Sequence, residues 1–244
     1  MNEEMEAEIQ GSLTTFQVLK EMRTMTLGRL GALRACQVAG LEPFFHFFDE
    51  YNPSLLAPYH NAYHTYCLVL NCFEGAFYER LFDDNRRILI LAGLFHDFDH
   101  TEGREEDKVN IRKAIFGLST AKKYARNNHC FITDEEFEVA CELIRVTKYP
   151  YDREPETPLE RIIRDADLMQ PYEEDPTVLR KQFLGLKAEI EVRRPVMTNE
   201  EFGNGLHAWY IEHAHFYSLW GKEKQHKLHY GVRLDNLKEL LVRA

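Results

Sequence analysis

The chain has no paired-cysteine framework. Its 244 residues include five cysteines, at positions 36, 67, 72, 130 and 141, an odd number with no CxxC spacing. This argues against a disulfide-stapled secreted scaffold and a thiolate zinc ribbon, and implies free thiols in a reducing compartment. Long hydrophobic runs are also missing. No apolar stretch reaches membrane-spanning length, and the opening "MNEEMEAEIQ" is acidic with no signal-like core, so a cytoplasmic protein without a membrane partner is expected. Positive charge is scarce. Thirty Lys and Arg stand against forty Asp and Glu, a net charge of -10, which excludes a general nucleic-acid binder because such proteins neutralise phosphates with cations. A small phosphate substrate remains open if a cation sits in the pocket. Alternating strand patterns flanking Asn-Gly or Asp-Gly turns are absent, so no sheet is expected. There is neither a repeat of fixed period nor a low-complexity tract.

What is present is helical. "RRILILAGLFHDF" is too apolar for a solvent-facing helix and reads as a central one. "DEEFEVACELIRVTKY" follows Thr133, which with Glu136 forms a predicted capping box, and Phe137, Ala140, Leu143 and Ile144 keep helical spacing. "YDREPETPLE" carries two prolines and reads as a loop, after which a helical pattern runs to Pro171. "DPTVLRKQFLGLKAEIEV" and "GVRLDNLKELLVRA" are further amphipathic helices. The expectation is an all-α protein, with residues 1–40 as an N-terminal helical extension and 41–244 as one helical domain with a metal centre in its core.

Three stretches carry polar groups where apolar ones are expected. "PYHNAYHTYCLVL" places His60 and His64 four apart in a segment that reads as a buried helix, which would put both on one face. "HDFDHTEG" sets His96, Asp97, Asp99 and His100 at the end of the apolar run 88–95. "IIRDADLMQP" sets Asp165 and Asp167 on a mostly apolar segment, on nearly opposite sides of a helix, so that only one can enter a shared site. Buried carboxylates beside imidazoles are costly unless a cation compensates them. Converging helices can bring such side chains together, and a mixed imidazole–carboxylate set suits Zn, Mn, Fe, Co or Ni.

The order histidine, histidine-aspartate, aspartate resembles the HD-domain superfamily of metal-dependent phosphohydrolases. "YHNAYH", "HDFDH" and "ADLMQP" further resemble the YHNxxH, HDxxH and ADLSNP motifs of class I 3′,5′-cyclic nucleotide phosphodiesterases, in the same order from Tyr59 to Pro171. The resemblance implies metal ligands His64, His96, Asp97 and Asp167, the ADL match selecting Asp167. It also implies a second ion, Mg or Mn, reached through Asp97. His60 takes the position of the proton donor to the leaving oxygen, and His100 that of the histidine near the substrate phosphate. The implied activity is hydrolysis of a 3′,5′-cyclic nucleotide or a similar small nucleotide phosphodiester. The other readings are an HD-type nucleotidase or phosphomonoesterase, an HD-type di-iron oxygenase, and a nucleotide sensor without turnover.

The match has gaps. The family's orienting glutamate lies in a segment resembling ENHH, and "KKYARNNHCFITDEE" offers none, so His60 has no assigned orienting residue. Gln170, Gln182, Phe183 and Gln225 are available to a base but lie in no matching motif, and no substrate-binding residue is assigned. An oxygenase would need further imidazoles, for which His129 is the candidate. Lys148 reads as an exposed helix-end lysine, Asp99 as a capping or ion-paired residue, and Asn110 as either a helix cap or a contact back into the site.

Overall fold

The computed structural model describes residues 25–170, 175–227 and 230–242. These form helices only: α1 (25–38), α2 (Glu42–Tyr51), α3 (Ala62–Tyr78), α4 (Asp83–Phe95), α5 (Asp107–Asn127), α6 (Asp134–Val146), α7 (Pro158–Asp167), α8 (Pro176–Glu191), α9 (Asn199–His213), α10 (Leu219–Lys227) and α11 (Tyr230–Val242). Among them, no helix is long and apolar enough to cross a membrane.

Local chemistry sets several boundaries. Thr133, Thr157 and Thr198 each form a full capping box with a glutamate three residues on, starting α6, α7 and α9, which satisfies helix-terminal N–H groups that would otherwise lack acceptors. The proline-rich stretch before α7 is a loop, as its composition predicts. Helix α4 is the central element. Ile88 through Phe95 are all buried, and α4 packs against α2, α3, α5, α6 and α7. Gly93 permits a close approach of α3: a Cβ there would lie 2.8 Å from a Leu68 methyl.

The described part of the N-terminal segment, α1, packs onto the core. Ala32, Ala35 and Cys36 of α1 are buried in the same core as α3 and α4. Arg29 donates to Asp49 of α2, which also accepts from the Tyr66 hydroxyl. Small apolar residues at helical spacing thus tie α1 into the domain, with no break in packing near residue 40. The rest of the expected extension, 1–24, lies outside the described residues.

The segment 58–70 is not one helix. Helix α3 begins at Ala62, with Asn61 as its N-cap accepting from the His64 N–H, and residues 58–61 form a turn ahead of it. Asparagine is a strong N-cap because its side chain bonds backbone N–H groups that lack an intrahelical acceptor. Pro58 also disfavours helical backbone for the residue before it. His60 and His64 therefore do not share a helix face, contrary to the expectation from their spacing.

Candidate metal centre and its flanking histidine pair

His64 stands in the first turn of α3, while His96 and Asp97 occupy the turn leaving α4. That turn is braced on all sides. Phe95 and Phe98 stack on each other at 5.5 Å, and Phe98 lies so close to α5 that a Cβ on Gly117 would meet its ring at 2.3 Å. Asn52 Oδ1 accepts from the Asp99 N–H, and the Ser54 hydroxyl donates to the Asp97 carbonyl. Asp99 takes a left-handed φ of 58° and pairs with Lys113. Asn110 accepts from the N–H and hydroxyl of Thr101, tying α5 to the end of the motif.

The four metal-ligand candidates meet in one place. His64 Nε2 lies 3.2 Å from His96 Nε2, 3.2 Å from Asp97 Oδ2 and 3.2 Å from Asp167 Oδ1. His96 Nε2 is 2.8 Å from Asp97 Oδ2 and 3.7 Å from Asp167 Oδ1. Asp165 turns away. Its carboxylate accepts from the Tyr217 and Ser218 N–H groups and the Ser218 hydroxyl, holding the start of α10 in place. Burial outweighs these bonds and raises its pKa to about 6.

This cluster fits a cation. His96 Nδ1 is 2.9 Å from the Gly93 carbonyl and His64 Nδ1 faces the Gln170 amide oxygen. A backbone carbonyl can only accept, so His96 Nδ1 carries a proton and its Nε2 is left to face the cluster. Asp97 Oδ2 is buried without a hydrogen-bond donor. Two carboxylates facing this interior need a positive partner, a cation or a proton. A proton responds to the same arrangement: burial lowers the His64 pKa, but the Asp167 and Asp97 carboxylates outweigh it and raise the value to about 10. Two imidazoles and two carboxylates can hold a divalent transition metal.

Beside the cluster sits a second group. His60 Nδ1 is 2.5 Å from Glu189 Oε2, and the His60 ring stacks on His100 at 3.6 Å. Glu189, on α8, is 2% exposed, and its other oxygen accepts from the Tyr59 and His60 N–H groups at 2.7 and 3.1 Å. Two glycines permit the approach. A Cβ on Gly185 would lie 2.0 Å from the Pro58 carbonyl, and one on Gly103, at φ +79°, would lie 2.1 Å from the Glu189 carbonyl. Glu189 was not visible as the partner of His60 in the sequence. The available signal was weak: a carboxylate seven residues after Gln182, on the buried side of an amphipathic helix that includes Leu179, Gln182 and Phe183.

The surroundings of the two stacked histidines push their pKa values apart. Burial lowers the His60 pKa, but Asp97 and Glu189 overcome it, so the net shift is upward. For His100, burial and the adjacent His60 lower the pKa to about 3. His100 Nδ1 accepts from the Glu102 N–H, which leaves Nε2 as the protonated nitrogen. The two rings are thus shifted in opposite directions, and both face a cleft of about 840 Å³ that also exposes Asp97 and Asp167. His129 is exposed at the end of α5 and takes no part in either cluster. Lys148 is bound to Asp152.

No protein-family model matches the chain, and a search of curated proteins finds no match.

Proposed function

We propose that the protein is a metal-dependent phosphohydrolase of the HD-domain type. We propose that it cleaves a phosphodiester of a small nucleotide, a class that includes 3′,5′-cyclic nucleotides. The observation that carries this reading is a histidine bonded to a buried carboxylate beside a four-residue cluster of imidazoles and carboxylates, with both opening into one cleft. His64, His96, Asp97 and Asp167 would hold the metal, with Asp97 also shared by a second ion. When bound, a divalent ion lowers the pKa of water to about 7 and draws charge from phosphoryl oxygens.

The remaining steps belong to side chains. Glu189 fixes the His60 ring through Nδ1, so Nε2 carries the transferable proton toward the cleft. An alkoxide leaving oxygen needs that proton, and positioned acid catalysis contributes roughly 10²–10⁴-fold. His100, neutral and protonated on Nε2, can donate a hydrogen bond to a phosphoryl oxygen. His129 lies outside both clusters, so among the described residues the further imidazoles that an oxygenase would need could come only from His60 and His100, which with Glu189 form a second group able to hold a metal.

The test is a turnover screen of metal-loaded protein against cyclic nucleotides, linear dinucleotides, mononucleotides and bis(p-nitrophenyl) phosphate, with metal analysis of the wild type and Asp97→Ala. Diester turnover, with metal present in the wild type and lost in the variant, is expected. Cleavage of terminal phosphates alone would favour the phosphomonoesterase reading. Equal metal content in the two proteins would remove the proposed centre.

A further inference from the structure

We infer that the substrate carries a second phosphoryl group, away from the scissile one, which Arg193 and Arg194 bind at the rim of the cleft. The inference rests on the phosphodiester reading and narrows it: a 3′,5′-cyclic mononucleotide has only one phosphate.

The first observation is charge. Among the residues lining the cleft, Arg193 and Arg194 are the only arginines or lysines. In a chain of net charge -10, two adjacent permanent cations at the mouth of an anion-processing cleft concentrate attraction where it would act on a ligand. Neither makes an ion pair among the described residues, although neighbouring Lys187 is paired with Glu191. The acids near them are mostly engaged elsewhere. Asp107 accepts from the Tyr149 N–H and the Asn110 amide, and Glu201 caps α9. Glu106, paired with Lys108, feels Arg193 only at longer range. Glu105 alone on the rim is unengaged among the described residues.

The second observation is position. Arg193 and Arg194 follow Glu189 by four and five residues, just past the end of α8. Four residues of helix advance about 6 Å, so the backbone of the arginine pair lies about one turn beyond that of Glu189. Both ends line one cleft, which one short nucleotide could occupy. Guanidinium groups bind phosphate through paired N–H donors, which suits them to a terminal phosphate more than to a diffuse charge.

The third observation is an aromatic wall of the cleft. Tyr149 and Trp209 line the cleft together. The Trp209 indole N–H donates to the Tyr149 hydroxyl at 2.8 Å, and their rings meet edge-on at 5.4 Å. Rings fixed in this way offer a planar face for a nucleobase. The ligand chemistry is therefore that of a short linear nucleotide with a terminal phosphate, an internal diester and at least one base.

The experiment is equilibrium binding by titration calorimetry in chelator, so that it does not depend on a metal-loaded enzyme. The ligands are the adenylyl dinucleotides pApA and ApA, which differ only in the 5′-phosphate. The proteins are the wild type, the double variant Arg193→Ala/Arg194→Ala and the double lysine variant. The wild type should bind pApA more tightly than ApA by about 10- to 100-fold, the range of one or two charge-assisted bonds. The ratio should fall to near one in the alanine variant, return partly in the lysine variant, and shrink with added salt. Equal binding of the two ligands, absence of binding, or a preference that survives the alanine variant would overturn the inference. Turnover of bis(p-nitrophenyl) phosphate by metal-loaded wild type is measured separately. If that fails while the binding ratio stands, the phosphohydrolase reading falls and the anion site remains.

Discussion

Replacing Glu189 by glutamine tests the proton-donor arrangement with little change in shape. The amide oxygen can still accept from the Tyr59 and His60 N–H groups, which now bond Glu189 Oε1 at 2.7 and 3.1 Å. What is lost is the negative charge against His60 Nδ1. A hydrogen bond to a charged group is worth about 1.5–3 kcal/mol, so the imidazolium should be destabilised by that order. With each 1.4 kcal/mol worth about tenfold, the rate on a diester with an alkoxide leaving group should fall by about 10- to 100-fold. A p-nitrophenyl ester, whose phenolate leaves without a proton, should slow by less than about threefold, the residue of imperfect positioning. Metal content should not change. The pH profile supplies an independent sign. A general acid must be protonated, so activity falls as pH rises through its pKa. Glu189 raises that pKa, hence Glu189→Gln should move the falling limb to lower pH. Equal losses on the two esters, or an unmoved limb, would refute a proton-donor role for His60. Glu189→Ala is a harsher change: it also leaves two backbone N–H groups without their acceptor, at about 1–3 kcal/mol each.

Three further outcomes follow. His64→Ala should lose bound metal, whereas His60→Ala should keep metal and fold and lose turnover chiefly with poor leaving groups; metal analysis beside paired ester assays checks both, and metal loss in His60→Ala would reverse the roles. Gly185→Ala would put a Cβ 2.0 Å from the Pro58 carbonyl, so it should lower the melting temperature by an overpacking cost of about 1–3 kcal/mol and weaken acid catalysis without metal loss. Gly231→Ala, with nothing within 4 Å, is the control that should leave both unchanged. Glu160 is held down to about 2 by its bonds to Arg153, against the opposing effect of burial. Its stabilisation is therefore fully present above about pH 4.5, the ordinary glutamate value, and disappears as pH falls through 2. Glu160→Gln should lower the melting temperature at pH 6, with a deficit that shrinks toward zero as pH falls to 2 and below, and an equal deficit at pH 6 and pH 2 would contradict this linkage.

The helices were legible because their signals are local. Periodicity marked α4 and α6, and the Thr133–Glu136 box marked where α6 starts. The three polar stretches were legible as anomalies, buried imidazoles and carboxylates in apolar surroundings, and the fold brings their members together. The role of Asn61 was readable in principle: a good N-cap after Pro58 places His60 before the helix, although the four-residue spacing suggested a shared face. Glu189 and the rim arginines had no comparable local signal. Their meaning depends on how α8 docks against a turn 130 positions earlier in the chain, and spacing along the sequence carries no information about that docking. The same holds for Asp165, whose partners lie in the 217–218 segment.

The contact between Glu189 and the 58–60 turn also has a consequence for hydrogen exchange. The amide protons of Tyr59 and His60 bond the Glu189 side chain, so what protects them from solvent deuterium is a carboxylate on a distant helix. Helix α3 can remain intact while these two amides exchange, provided α8 lifts away. Exchange at such sites follows the local opening free energy, which can lie far below that of global unfolding. Two amides in a turn thus serve as a gauge of how often the proton-donating half of the site comes apart while its ligand half stays assembled.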